Sequence, residues 1–592
     1  MIVAVLAFAG WQVYYERANS RATEARKAAA AKQAAEQPVQ QEAVVPVARP
    51  EGVSAPAPAA SQPVEKAVAE LHRVVTAQAE YEFTSLGGGL ASVKLLGHSV
   101  DRGAAVRMNE FSQVPIGALS EVAGEATDMP HKLSVDSGSG EVRFERTDAR
   151  GLEIQKRFSL PSEDARVKDP LSTGYTVRLE VAMTNRSAQP VAVTGYFVHT
   201  GSLASLHRSD MPNYTGYHVY SREGGKSVDA TWFDGGGWFS RRPASTTYNE
   251  GLDRIRWVGV TNQYFNTLIT AEVDEKAVSK VQATQFGAQA WARRAVVSDA
   301  AWQDAGHSME GKSGTPLYAV DGALGMPGRT LQPGESFTQG FTIYSGPREY
   351  RRLDAQGQEQ GDIMNLGWFG IVSRVLLGSM NVLSGWFGSY AWAIIVLTVI
   401  IKLMLWPLQN KATKSMKMMA ALQPKMTELR EKYAADPSRL NMEVMQLYKE
   451  YQINPLGGCL PMVVQIPIFF GFYNMLGKAV ELRNSRFLWV EDLSQPDTVA
   501  HLLGMPVNVL PLCMAVTMLV QMRIQPKSGD AAQQRIFMFM PLIFIFFCYN
   551  FASALALYWT VQNLFSIAQL SMTRGQAAPV LERVSVRKKS KR

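Results

Sequence analysis

Ile536–Thr573 runs for 38 residues without one charged side chain. As a single helix it would be about 57 Å long, nearly twice a hydrocarbon core of about 30 Å. A chain with such a segment must keep it out of water and fold it back on itself. Tyr549–Ser553 (YNFAS) is its most polar break, which predicts two short spans at 536–550 and 553–573. Three more stretches precede it. Leu383–Leu408 carries one charge, Lys402, while Gly457–Leu476 and Leu502–Met522 carry none. The expectation is a core of five membrane-spanning helices over residues 383–574, with spans at 383–408, 457–476, 502–522 and the two above.

The chain as a whole is too polar to be built of such segments throughout: 592 residues, 46% hydrophobic, 19% charged. Two unlike halves are implied. Residues 67–353 read as β. Tyr175–Met183 (YTVRLEVAM), Val191–Phe197 and Ser336–Tyr344 alternate apolar and polar residues, and Val142–Leu160 reads as two strands about a turn at Asp148–Gly151. Many short strands without helical periodicity predict a sandwich of antiparallel sheets. Cys459, Cys513 and Cys548 all lie in the apolar C-terminal part, so no disulfide framework braces the β region. There is no Cys/His cluster with metal spacing and no GxxxxGK[ST] loop, and no metal or cofactor is expected.

Residues 1–15 (apolar from Ile2 to Tyr15) are expected to form an N-terminal transmembrane anchor, though the run is short for a span. Residues 16–66, rich in Ala, Gln, Glu and Pro, read as a linker. Residues 364–378 are amphipathic with one charge, Arg374, and suit a helix lying in the membrane interface.

Loop charges set the orientation. The segment 409–452 carries Lys411, Lys414, Lys417, Lys425, Arg430, Lys432, Arg439 and Lys449; 477–501 is balanced; the next loop is basic, as is the tail 575–592 ending VRKKSKR. The positive-inside rule then puts the hairpin 409–452 and the C-terminus in the cytoplasm and the β region outside it. Arg17, Arg21, Arg26, Lys27 and Lys32 sit on the opposite side and disagree.

Lys402 is the one charge inside a predicted span. Insertion of such a charge costs about 2.5–3.5 kcal/mol, and intramembrane ions mark function by default. The bland alternative is that it snorkels to the nearby interface. Thr398 lies one turn before it on the same face. Trp559, Gln562, Asn563, Ser566 and Gln569 share one face of the last span, Gln465 lies within the second, and Gln521 ends the third. Each of these is more simply interhelical glue, but together with a lysine they predict a polar cavity open to the cytoplasm and sealed outside by apolar residues. The basic hairpin is expected to be two helices with a turn at Asp436–Pro437, Pro424 interrupting the first. Its methionines (Met404, Met416, Met418, Met419, Met426, Met442, Met445) offer an adaptable apolar surface or are plain helix formers.

LMLWPLQNKATKSMKMMAALQPKM, YQINPLGGCLPMVVQIPIFFGFYNML, VELRNSRFLWVEDLS and LALYWTVQNLFSIAQ resemble the YidC/Oxa family of membrane protein insertases, in its Gram-negative form with a large periplasmic domain. TNQYFNTLI and TIYSGPREYRRLD resemble that domain, which in the family is a β-supersandwich similar to sugar mutarotases. The resemblance implies an insertase and chaperone of the bacterial inner membrane, acting alone or beside the Sec translocon. Its partners would be nascent membrane proteins, membrane lipid and, through the basic hairpin (Lys411, Lys414, Lys417, Arg430) and tail, the ribosome. The client-binding groove would hold Lys402, where the Gram-negative pattern has arginine; lysine keeps the charge and loses the bidentate fork. Trp559 matches an aromatic groove position, Thr398 and Gln521 match less closely, and Gln465 and Asn563 join them by position. Two other classes compete: a solute or ion transporter using Lys402, and an enzyme built on the β region. Internal repeats and midplane broken helices are not evident for the first, nor is an acid/base pair for the second.

Overall fold

The computed structural model describes residues 68–100, 103–112, 114–125, 129–236, 242–273, 285–309, 316–454, 460–502, 505–525, 539, 541–546 and 548–574. The expected anchor at 1–15, the linker at 16–66, the tail at 575–592 and the start of the fourth span lie outside these residues.

The strands follow the alternation. In Thr176–Asn185 the side chains of Val177, Leu179, Val181 and Met183 are buried and Arg178 is exposed. Glu180, between them, meets Arg157 of the paired strand Leu152–Ser159 at 3.4 Å. The turn at 148–151 is built by Asp148, whose Oδ1 accepts the N–H groups of Arg150 (2.9 Å) and Leu152 (3.0 Å). Gly151 closes it at φ +80°, a backbone conformation that favours glycine. Two strands run further than the pattern predicts, to Val191–Ala204 and Ser336–Pro347. From Val198 to Ala204 every residue is buried, so the alternation that marks a half-exposed strand stops while the strand continues.

A nine-stranded antiparallel sheet runs in the order Gly224–Asp229, Gly216–Ser221, Trp257–Thr261, Phe265–Ala271, Ser336–Pro347, Thr176–Asn185, Leu152–Ser159, Val142–Thr147, Lys132–Val135. A five-stranded sheet, in the order Thr247–Ile255, Gly287–Val297, Leu317–Leu331, Val191–Ala204, Leu119–Ser120, packs against it. Val198, Leu203, Val320 and Leu324 of the smaller sheet share one core with Val258, Val260 and Leu268 of the larger. A four-stranded sheet over Leu71–Met108 adds Phe83, Val93 and Leu95 to it.

Six longer helices follow among the described residues: α1 (Gly370–Phe387), α2 (Tyr390–Lys432), α3 (Pro437–Glu450), α4 (Leu460–Leu476), α5 (Val509–Ile524) and α6 (Ser553–Arg574). Several bounds differ from expectation. α1 starts at Gly370 rather than 364, because Asn365 (φ +43°) and Gly367 (φ +69°) break the backbone before it. It also continues to Phe387, where Gly388 (φ +64°) caps it. Residues 383–387 therefore belong to α1 and not to the first span. Pro424 does not interrupt the hairpin arm: α2 is one helix of 43 residues through both Pro407 and Pro424, about 65 Å at about 1.5 Å per residue. The hairpin turn falls at Asp436, whose side chain caps α3. The third expected span loses its first residues to a β-hairpin, Thr498–Leu502 paired with Met505–Asn508, where Asn508 is pinned through its Nδ2 to the Tyr549 carbonyl at 2.7 Å.

Among the described residues α2 alone is long and apolar enough to cross a membrane by itself. α4 and α5 are apolar but only 17 and 16 residues long. Ala391, Ile394 and Leu397 of α2, Phe472 and Met475 of α4, Leu510 of α5, and Ala554 and Leu557 of α6 form a second core. The segment between α4 and the hairpin joins this bundle to the sandwich. Gln263 Nε2 donates to the Gly477 carbonyl (2.7 Å), Tyr264 OH to that of Ser494 (3.1 Å), and Arg483 Nη2 to that of Ser99 (2.6 Å).

Candidate functional site

The last helix carries Tyr558, Gln562, Ser566, Gln569 and Thr573 at steps of four, four, three and four, one face of a helix. That face is stitched to its neighbours. Gln465 Nε2 of α4 donates to Tyr558 OH and to Gln562 Oε1, each at 3.1 Å. Lys402 Nζ of α2 donates to Ser566 Oγ at 3.0 Å. Gln569 Nε2 donates to Asn410 Oδ1 (3.0 Å), and Lys417 Nζ to the Thr573 carbonyl (2.6 Å). The row starts in the apolar core, where Tyr558 stacks on Phe472, and runs along α6 toward its C-terminal end.

Lys402 is only 5% exposed, and no carboxylate lies within ion-pair distance of it among the described residues. Its neighbour Ser566 donates its own proton to the Gln562 carbonyl (2.9 Å), leaving an oxygen lone pair for the ammonium. Among the described residues the amine therefore has one hydroxyl partner, where its three donors have capacity for more.

The structure does not gather all the expected residues into this row. Gln465 and Lys402 belong to it. Asn563 points the other way, its Nδ2 reaching the Met514 carbonyl (3.3 Å) and Thr517 Oγ1 (3.1 Å) on α5. Thr398 is buried one turn from Lys402, and its hydroxyl donates to the Ile394 carbonyl of its own helix (2.7 Å). Trp559 packs on Phe469 (4.7 Å between ring centres) and Phe544 (4.6 Å), an aromatic wall beside the row. Gln521 is half-buried near the end of α5, outside the row. Lys411 and Lys414 are exposed, while Lys417 and Arg430 are partly buried. Met426 is buried against Tyr448, whereas Met404, Met442 and Met445 are exposed. Ser566 was expected on the shared face of α6 but not as the direct partner of Lys402. Tyr558 and Asn410 were not foreseen, although Tyr558 continues the step of four along α6, while no spacing on α2 marked Asn410.

Outside these helices, Glu481 is a second buried charge. Burial pushes its carboxyl up to about 7. One oxygen meets Asn381 Nδ2 of α1 at 3.5 Å, and the other is buried without a partner among the described residues.

A sandwich of sheets carried on an apolar helical bundle, with hydrogen bonds inside and a lone amine among them, defines a class of membrane proteins with a large domain outside the bilayer. The chain belongs to the YidC family of inner membrane proteins. The model described as 60Kd inner membrane protein matches residues 382–578, and that described as YidC periplasmic domain matches residues 72–378. A protein of Citrifermentans bemidjiense named membrane protein insertase YidC is 32% identical over 461 residues, 78% of this chain and 74% of that one. One of Nitratidesulfovibrio vulgaris with the same name is 37% identical over 350 residues, 57% of this chain and 58% of its own, so under two thirds of its length is matched. A crystal structure of an active YidC insertase with the first transmembrane domain resolved is 18% identical, with a TM-score of 0.32 over 85% of this chain and 92% of that one.

Proposed function

We propose that this chain is a membrane protein insertase and chaperone of the bacterial inner membrane, acting through a polar groove between α2, α4 and α6. The observation that carries this reading is Lys402, a buried amine held by one side-chain hydroxyl and paired with no carboxylate among the described residues. A hydroxyl on a neighbouring helix is a weak, exchangeable partner for a cation. An acidic residue of an incoming segment replaces it with a charge-assisted bond, which is roughly twice as strong. The row from Gln465 to Gln569 offers hydrogen bonds to polar backbone entering the bilayer, and Trp559 lines it with an apolar wall. The short helices α4 and α5 thin the bilayer locally. None of these effects needs a nucleotide.

In this reading the bundle has five spans with an N-terminal anchor before them, the sandwich lies in the periplasm, and hairpin and tail face the cytoplasm. Basic loops alternating with a neutral one support that orientation. Exposed Lys411 and Lys414 suit a ribosomal RNA surface, with Lys417 and Arg430 bracing the hairpin. Nascent membrane proteins are the clients, and the Sec translocon and lipid are neighbours. The names of the relatives favour insertion over solute transport.

Insertion into proteoliposomes by Lys402→Arg, Lys402→Ala and Lys402→Glu tests the reading. Arginine should work nearly as well as lysine. Alanine should lose about tenfold to about a hundredfold, graded by the acidity of the client's outer segment, as expected for one charge-assisted bond of about 1.5–3 kcal/mol. Glutamate should be worst for acidic clients. Equal rates for all three would remove the charge from the mechanism.

A further inference from the structure

Phe487 and Val490 exchange both backbone hydrogen bonds (2.9 and 2.8 Å), which leaves Leu488 and Trp489 as the central pair of a tight turn between α4 and the β-hairpin. Leu488 has φ +52°. In a turn of this kind the first central position belongs to glycine, and a leucine there is strained. Burial does not offset the strain, because Leu488 is 76% and Trp489 44% exposed. The turn is nevertheless held firmly. Trp489 Nε1 donates to Asp497 Oδ2 (3.1 Å), the same oxygen that accepts the N–H of Leu510 at the head of α5 (2.6 Å). Phe487 packs edge-on against Trp392 in the first turn of α2. A strained turn thus presents two large apolar side chains outward, tied to the starts of two helices.

We infer that Leu488 and Trp489 form a wedge seated in the headgroup–acyl boundary of the outer leaflet. This rests on the reading that α2 and α5 cross a membrane. Three features select lipid as the occupant. The apex is continuous with exposed Trp392 on α2, and the turn is anchored to the head of α5, whose Leu512 and Val516 are also exposed. A tryptophan with its N–H bonded and its ring open suits the boundary between water and hydrocarbon. Exposed Arg486 and Glu491 bracket the apex, so only the two central residues enter while the charges stay among headgroups. Arg483 and Asn484, a few residues before the wedge, donate to the Ser99 carbonyl (2.6 Å) and to Ser99 Oγ (3.2 Å) respectively. The wedge therefore fixes how high the sandwich rides above the bilayer.

The test places a nitroxide on the full chain in nanodiscs holding one copy and no client, with Cys459, Cys513 and Cys548 replaced by alanine. Probes sit at Leu488→Cys, at Val516→Cys on α5 and at Ser139→Cys on an exposed turn of the sandwich. Collision with oxygen and with a water-soluble nickel chelate is measured. Nickel collisions at 488 should fall severalfold below those at 139, and oxygen collisions should rise. A probe at Trp489→Cys should move into water when Leu488→Asn is added, since asparagine keeps the left-handed backbone and loses the apolar tip. A 488 probe as wet as 139 beside a lipid-protected 516 overturns the wedge alone; a wet 516 overturns the membrane reading. Protection at 488 only when discs hold two copies also overturns it, in favour of a contact between copies.

Discussion

Lys156 in the sandwich and Lys402 in the bundle are both buried, 1% and 5% exposed, and they are held differently. Lys156 Nζ donates to two backbone carbonyls, those of Gly87 (2.6 Å) and Gly117 (3.5 Å), both residues of left-handed turns (φ +73° and +78°). Lys402 donates to one side chain on another helix. Backbone carbonyls in fixed turns cannot swing away, so Lys156 is a pin between loops of the sandwich. The serine hydroxyl is a neutral side-chain acceptor that keeps its own bond to the Gln562 carbonyl when the amine leaves, so the partner of Lys402 can be exchanged for a better acceptor. Burial of a lysine is therefore no guide to its role until its partner is known.

The largest effect expected is on folding. Lys156→Met strips both turns of their donor and should cost the sandwich about 2–4 kcal/mol, whereas Lys402→Met should cost about 1 kcal/mol or less, since Ser566 keeps its bond to Gln562. Denaturant-dependent hydrogen exchange on the full chain measures both, and equal costs would break the contrast.

Acidity separates the pins further. Burial holds the Lys156 amine down to about 7 from an ordinary 10.5. Across that window the unfolded chain carries a proton that the folded one lacks, so sandwich stability should rise with pH and Lys156→Met should flatten the rise. Glu481 has the opposite sign. With its carboxyl raised from an ordinary 4.5 to about 7, the folded chain holds a proton that the unfolded one has lost, and stability should fall as pH climbs through that range. The protection of α1 amides, corrected for intrinsic exchange, should weaken between pH 5 and about 7.5, and Glu481→Gln should abolish that trend. A trend that persists in the variant would locate the titrating group elsewhere.

The smallest effect belongs to the glue. A double-mutant cycle of Asn563→Leu with Thr517→Val should return about 0.6 kcal/mol, the usual worth of a hydrogen bond between helices in a membrane protein. A value several times larger would move Asn563 from bracing to the working face.

Particular residues show how far pattern reading reaches. The strand over 176–185 and the turn at Asp148 were legible because each depends on neighbours in sequence: alternation for one, an aspartate three residues before a glycine for the other. Val198–Ala204 was not, because burial on both faces erases the period. The charge on Lys402 and the shared face of α6 were legible; that Asn563 reaches α5, and that the Thr398 hydroxyl is taken by the Ile394 carbonyl of its own helix, was not. A helix face about 100° wide holds residues that different neighbours claim, and spacing does not name the claimant.

Local chemistry along the chain was enough to divide it into a sandwich and an apolar bundle, to isolate one lysine among uncharged residues, and to order its loops by charge. Periodicity and desolvation act residue by residue, and so they survive in a linear string. Pairing Lys402 with Ser566, 164 positions away, and letting Leu488 keep a backbone better suited to glycine, were settled by packing between distant segments. Such contacts arise only when helices meet, and no stretch of sequence records which of its faces another helix will cover.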